Sequence, residues 1–214
     1  MLGVLEAEDH RFDPEGAAGA LALARLRSCG RPRSGVTLRI VDVHTGEAVA
    51  VGQPGEVQAR TARLMSGYWN LPEATAEALL PGGWFRTGDI GYLDADGYLF
   101  LGDRLKDMIV SGGENVYPAE VEDALQWHPE VAEVAVIGVP DDKWGETPRA
   151  IVVRTAGSSL TADELIAFAR SRLAGYKCPT ACDFVDELPR NATGKVLRQE
   201  LREPYWAGRE RRIN

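Results

Sequence analysis

Lysine is nearly missing from this chain of 214 residues. Of its 24 basic residues only Lys106, Lys143, Lys177 and Lys195 are lysines. Where arginine is the habit, a retained lysine marks a place for a compact, mobile ammonium rather than a planar fork. Cysteine is scarce as well. Cys29, Cys178 and Cys182 are odd in number and lack CxxC spacing. That excludes a disulfide framework and reads as the reduced thiols of a cytoplasmic protein. No apolar run approaches the roughly 18 residues that a membrane helix needs. Positive charge is also short: 24 basic against 32 acidic residues give a net −8, which argues against nucleic acid or an anionic membrane as partner. What is present is ordinary, 44% hydrophobic and 26% charged, in a length that suits one large or two small soluble domains.

Before residue 106 the pattern is mostly extended. Val36, Leu38 and Ile40 alternate with Thr37 and Arg39, and 55–60 reads as a second strand. Asn70 is placed to cap a helix over 72–80, which Pro81-Gly82-Gly83 ends. Strands over 84–93 and 98–101 flank Asp94-Ala95-Asp96-Gly97, a hairpin turn by composition. Residues 10–18 form a turn-rich loop, and 17–27 read equally as helix or loop. After 106 the periodicity changes. A helix over 118–128 turns Val121, Ala124, Leu125 and His128 to one face. Strands at 131–139 and 149–154 flank a loop over 141–146. Thr161-Ala162-Asp163-Glu164 is a capping box for a helix to about 173. A strand at 183–185, a helical segment at 196–201 and a solvated tail from Tyr205 complete the chain. The expected class is α+β: a partial antiparallel β subdomain over 1–105, a small α+β domain over 106–204 and a tail over 205–214.

Three stretches carry chemistry. Trp84-Phe85-Arg86-Thr87-Gly88-Asp89 presents a carboxylate, which is acceptor-only and takes two hydroxyl donors; the plain alternative is a chain-reversing turn. Residues 102–118 read GDRLKDMIVSGGENVYP: a charged joint, a short apolar strand, a glycine loop and a proline able to open a helix. In that joint the bland reading of Arg104 is a surface ion pair with Asp103 or Asp107. Residues 189–198 read PRNATGKVLR, a tight polar turn that projects Lys195.

These motifs strongly resemble those of the AMP-forming acyl-CoA synthetases, the acyl-CoA ligase branch of the adenylate-forming superfamily. The match starts near Cys29 and is dense from Gly67-Tyr68-Trp69 to Arg198. The resemblance implies a two-step ligation of a carboxylic, typically fatty, acid to coenzyme A through an acyl-AMP, with ATP accompanied by Mg2+. It makes Asp89 the acceptor of ribose hydroxyls and places Arg104 against ribose or phosphate. Lys106 becomes the hinge of a mobile C-terminal domain, and Lys195 the catalytic ammonium. It implies that Ser111, Gly112 and Gly113 line the coenzyme A channel, with Trp144 and Tyr176 beside the same cofactor; no residue is implied as a metal ligand. Cys178 stands where some relatives carry a basic residue.

The departure is large. The family's phosphate loop, rich in Ser, Thr and Gly with a lysine, is not found in the sequence, nor is the aromatic-Gly-x-Thr-Glu motif of the acid pocket. The chain is therefore expected to be a C-terminal fragment, inactive without a partner that supplies the N-terminal half. The competing expectations are a non-catalytic orphan that binds nucleotide weakly, and an amino-acid adenylation domain, against which the SGGENVYP string speaks.

Overall fold

The alternation of Val36, Leu38 and Ile40 with polar residues becomes a strand in the structure, a computed structural model that describes residues 2–10 and 19–209. Residues 11–18 of the loop expected over 10–18, and Arg211 and Arg212 of the tail, lie outside the described residues. The chain divides at Leu105–Lys106 into two compact units.

In the first unit the elements run β1 (Gly3–Val4), α1 (Gly19–Leu26), β2 (Arg31–Pro32), β3 (Val36–Val41), β4 (Gly55–Thr61), α2 (Pro72–Ala78), β5 (Leu79–Leu80), β6 (Trp84–Leu93) and β7 (Leu99–Arg104). β3, β4, β6 and β5 pair in that order, β7 joins the far half of β6, and every pairing is antiparallel. Ile40, Val57 and Leu99 form the buried centre, with Leu38, Val49 and Leu93 packed against it. β4 is buried on both faces, so Glu56 and Gln58 are held out of water at 2% and 4% exposure. A buried carboxylate needs a partner. Arg86 Nε donates to both Glu56 oxygens at 3.0 and 2.9 Å, and Arg39 donates twice to Gln58 Oε1 at 2.9 and 2.7 Å. The guanidinium groups of Arg39 and Arg60 also lie 4.2 and 4.9 Å from the Trp84 ring centre, within cation–π range.

Two sequence expectations change here. Asn70 does not cap α2: it sits at φ 54°, in the left-handed region that asparagine tolerates, and turns the chain before the helix. Leu71 is the N-cap without a side-chain bond, and Pro72 supplies the first-turn position. The helix stops at Ala78 rather than Leu80 because Leu79 and Leu80 pair with Phe85 and Trp84. Nor does the 84–89 stretch reverse the chain. It lies inside β6, where a bulge sets Thr87-Gly88-Asp89 opposite Val57 alone, with Gly88 at φ 69°.

The second unit holds β8 (Ile109–Ser111), β9 (Glu114–Val116), α3 (Pro118–Gln126), β10 (Val131–Asp141), β11 (Gly145–Arg154), α4 (Ala162–Arg170), β12 (Ala181–Phe184) and α5 (Arg198–Trp206). Short 3-10 turns cover Leu105–Asp107 and Gly175–Lys177. The sheet order is β10-β11-β8-β9, and β12 runs parallel to β11. Alternation along the valine-rich β10–β11 hairpin feeds two cores. Val136, Ala150 and Val152 pack with Val121 and Leu125 of α3 and Leu165 and Ala169 of α4. Ala135, Ile137, Val139 and Ile151 pack on the other face with Leu188, Val196, and Leu201 and Tyr205 of α5. The capping box is present: Thr161 Oγ1 accepts from Glu164 N at 3.3 Å and Glu164 Oε2 accepts from Thr161 N at 2.9 Å.

The end of the chain differs from expectation. The last helix is Arg198–Trp206, so it crosses the boundary placed at 204 and absorbs the start of the supposed solvated tail. The reason is aromatic docking. Trp206 Nε1 donates to Gly138 O at 2.9 Å, and the Tyr205 hydroxyl donates to Asp183 of β12. Past the helix, Arg209 reaches Asp142 at 3.0 Å.

Candidate functional site

In the first unit the bulge in β6 determines where Asp89 points. Thr87 Oγ1 donates to Val57 O at 2.6 Å and accepts from Asp89 N at 3.1 Å, which fixes the loop from within. Asp89 and Arg104 are register partners on β6 and β7, and Arg104 Nε stands 2.9 Å from Asp89 Oδ1. Both side chains remain open, 58% for Arg104 and 31% for Asp89. Arg104 thus meets a carboxylate across the strand pair, a partner that its sequence position alone did not offer. A single guanidinium contact leaves the carboxylate acceptor positions to spare. Asp89 and Thr87 also edge an apolar cavity of about 540 Å³, walled by Val4, Cys29, Leu99 and Leu101 among others.

In the second unit the β8–β9 hairpin turns at Gly112 and Gly113, at φ 60° and 89°. Trp144, in the loop between β10 and β11, has its ring close against Gly112 of this turn. A Cβ at Gly112 would stand 2.7 Å from Trp144 Cε3, whereas one at Gly113 would meet nothing within 4 Å. Gly112 N donates to Trp144 O at 2.9 Å, and Ser111, buried, pairs with Gly145. Asp141 Oδ1 accepts from Lys143 N and Trp144 N, both at 2.9 Å, which shapes the loop. The Trp144 ring stays half exposed with Lys143 Nζ 4.4 Å from its centre. Ser111, Gly112, Gly113 and Trp144 thus form one edge. The turn carrying exposed Tyr176 packs beside β9, and its neighbour Lys177 is held by Glu120 at 2.6 Å.

Lys195 belongs to a separate turn. Asn191 Oδ1 accepts from Thr193 N at 3.0 Å, Thr193 Oγ1 at 2.8 Å and Lys195 N at 2.9 Å, and Asn191 N donates to Lys195 O at 2.9 Å. Arg190 donates to Gly194 O at 2.7 Å and reaches Glu133 of β10 at 2.5 Å. The turn is thus rigid at its base while the lysine itself is exposed. Glu133 pairs with Val153, at the open end of the hairpin whose closed end carries Trp144. Gly145 to Val153 spans eight residue-to-residue steps of strand, about 27 Å by strand rise. Lysine turn and glycine loop therefore occupy opposite ends of one hairpin.

Lys106 is exposed, in the 3-10 turn that ends β7. The residue after it gave no functional signal in sequence. Asp107 is 7% exposed and meets Arg202 of α5 at 2.9 Å. The only hint was the spacing of Arg198 and Arg202, four apart and so on one face of a helix. Cys178 is buried, its thiol against the carbonyls of Leu173 and Ala174. Burial also pushes the Cys182 thiol up to about 11, and a protonated thiol is a poor nucleophile. Among the described residues no cluster of three or more His, Cys, Asp or Glu is placed to hold a metal, and no helix is long and apolar enough to cross a membrane.

Comparison with known proteins gives these sites a context. Residues 17–69 match the profile of AMP-binding enzymes, and 120–195 match that of the AMP-binding enzyme C-terminal domain. A feruloyl-CoA synthase from an Amycolatopsis species is 47% identical over 197 residues, 89% of this chain and 40% of that enzyme. A long-chain-fatty-acid–CoA ligase of Mycobacterium tuberculosis is 52% identical over 153 residues, 72% of this chain and 30% of the ligase. Among solved structures, ATP-bound MatB from Rhodopseudomonas palustris superposes with a TM-score of 0.79 at 38% identity, covering 84% of this chain and 36% of MatB. The chain spans well under half the length of each.

Proposed function

The chain belongs to the AMP-binding enzyme family, in its acyl-CoA ligase branch, and from that premise we propose that it supplies the C-terminal portion of an ATP-dependent carboxylic acid–CoA ligase. Residues 1–105 complete the large nucleotide-binding domain, and the unit from Lys106 through the end of α5 forms the mobile one. In the first step the acid's carboxylate attacks the α-phosphate of ATP, releasing pyrophosphate and leaving acyl-AMP. In the second, the thiol of coenzyme A displaces AMP from the acyl carbon. Asp89 accepts the ribose hydroxyls, and Arg104, released from or sharing Asp89, contacts ribose or phosphate oxygens. Lys195 stabilises the charge that develops on the α-phosphate. Lys106 is the pivot between steps. Ser111, Gly112 and Gly113, with Trp144 and Tyr176, line the path of the pantetheine arm, where backbone without side chains leaves the passage open. Mg2+ enters with the ATP phosphates. Fatty acids are the acid class proposed, on the 52% identity with the long-chain ligase. The three free cysteines suit a cytoplasmic setting.

One observation carries this reading: an exposed lysine on a rigid turn and a bare glycine edge stand at opposite ends of the β10–β11 hairpin. The chain holds no Ser/Thr/Gly-rich phosphate loop, so it is expected to be inactive alone and to need a matching N-terminal half. With that half supplied, Lys195→Ala should slow acyl-AMP formation by about a hundred- to a thousandfold and leave thioesterification of added acyl-AMP intact. Equal loss of both half-reactions would refute the two-ended reading. The same lack of a phosphate loop favours a second reading, a non-catalytic module. Calorimetric titration of the isolated chain with AMP and coenzyme A, alongside a turnover assay, separates the two; turnover without a partner excludes the module.

A further inference from the structure

The joint between the two units is bracketed by two ion pairs of unequal character. On the near side strand pairing ends at Arg104, whose bond to Asp89 is open to solvent and weak by that fact. On the far side Asp107 meets Arg202 at 2.9 Å, with their side chains only 10% and 13% exposed. Beyond Asp107, Met108 is 7% exposed and Ile109, which starts β8, is fully buried. Only Leu105 and Lys106 lie between these anchors. Arg202 sits one turn beyond Arg198 on α5. Arg198 meets Glu122 of α3 at 2.8 Å, and Glu122 in turn accepts from Val136 N at 2.7 Å. α5 follows directly on the Lys195 turn, to which Leu197 N is tied through Pro189 O at 2.8 Å. One helix therefore links the chain just past the joint to the base of the lysine turn.

We propose that the Asp107–Arg202 pair is a hinge clamp, a positioning pair that confines the swivel to the backbone of Leu105 and Lys106 and makes the second unit turn as one body. The proposal rests on the reading of Lys106 as the pivot. A large torsional change is absorbed by a few residues only when the chain on either side is held. Were the exit free, slack between Lys106 and Ile109 would dissipate the rotation before it reached Lys195. A buried pair resists such slack far better than an exposed one, because opening it strands a charge away from water.

Hydrogen–deuterium exchange on the full 214-residue chain tests the clamp without substrate. Arg202→Gln should raise exchange at Asp107, Met108 and Ile109 at least about tenfold over the unsubstituted chain, leave the β10 and β11 amides unchanged, and be restored in part by Arg202→Lys. If Arg202→Gln does not fold, Asp107→Asn makes the same test. No local rise, or an equal rise across the whole second unit, overturns the proposal. In the assembled ligase Arg202→Gln should slow both half-reactions, in contrast to Lys195→Ala, which slows one. Unchanged half-reactions alongside raised exchange also overturn it. Failure of the ligase reading is seen separately, in the Lys195→Ala assay, since the exchange experiment needs no catalysis.

Discussion

Gly112 is where the glycine loop admits least change. Its φ of 60° lies in the left-handed region, and a Cβ there collides with the Trp144 ring at 2.7 Å. Gly113 carries the same conformational demand, φ 89°, but faces open space. Alanine at Gly113 should therefore cost about 1 kcal/mol of backbone strain, and alanine at Gly112 that amount plus the displacement of an indole. Urea denaturation of the two variants should rank Gly112→Ala the less stable; the reverse order would mean that Trp144 moves aside freely. Residue identity alone marked both glycines as special. It did not distinguish them, because the ring that does so comes from a loop some thirty positions away along the chain.

At the scale of elements, α5 is held across the sheet by polar contacts as well as by its apolar face. Arg149 of β11 reaches Asp183 of β12 at 2.5 Å, and the Tyr205 hydroxyl donates to the same carboxylate. The Arg149 guanidinium foremost, with help from that hydroxyl, holds the Asp183 carboxyl below its ordinary value, against a smaller opposing effect of burial. A depressed carboxyl stabilises the fold above its unfolded pKa, about 3.9, and that contribution fades as pH falls through the lower folded value. With Asp183 34% exposed, solvent screening limits the contribution to about 1 kcal/mol. Asp183→Asn should thus lower the denaturation midpoint at pH 6, with the difference from the parent shrinking below about pH 4; a constant difference down to pH 2 would refute the ion-pair account. The helices were legible from local pattern: α3 from its apolar spacing, α4 from its capping box. The hairpin at 94–97 was legible from turn chemistry. The bulge at Thr87-Gly88-Asp89 was not, since it depends on Val57 opposite, nor was the parallel pairing of β12. Docking of Tyr205 and Trp206 was hidden for the same reason: a terminal aromatic looks solvated until the face it covers is known. Of the candidate site, Asp89 and Arg104 were each singled out in the sequence, but their mutual pairing emerged only from the register of β6 and β7.

For the whole molecule, each unit has its own buried core. The second is packed on both faces of its sheet, by α3 and α4 on one and α5 on the other. The first centres on Ile40, Val57 and Leu99, with Val41, Ala59, Ile90 and Tyr98 also buried and an apolar cavity at its edge. Residues 106–214 expressed alone should therefore unfold in one cooperative transition, with far-UV dichroism and tryptophan fluorescence tracing the same curve in urea. Separated curves would mean that the second core needs the first. Within that unit, the β10–β11 hairpin works as a ruler. A nucleotide-sized ligand is much shorter than its length, so it cannot meet the ammonium and the glycines at once. Any ligand shorter than that span that used both ends would have to meet them in succession.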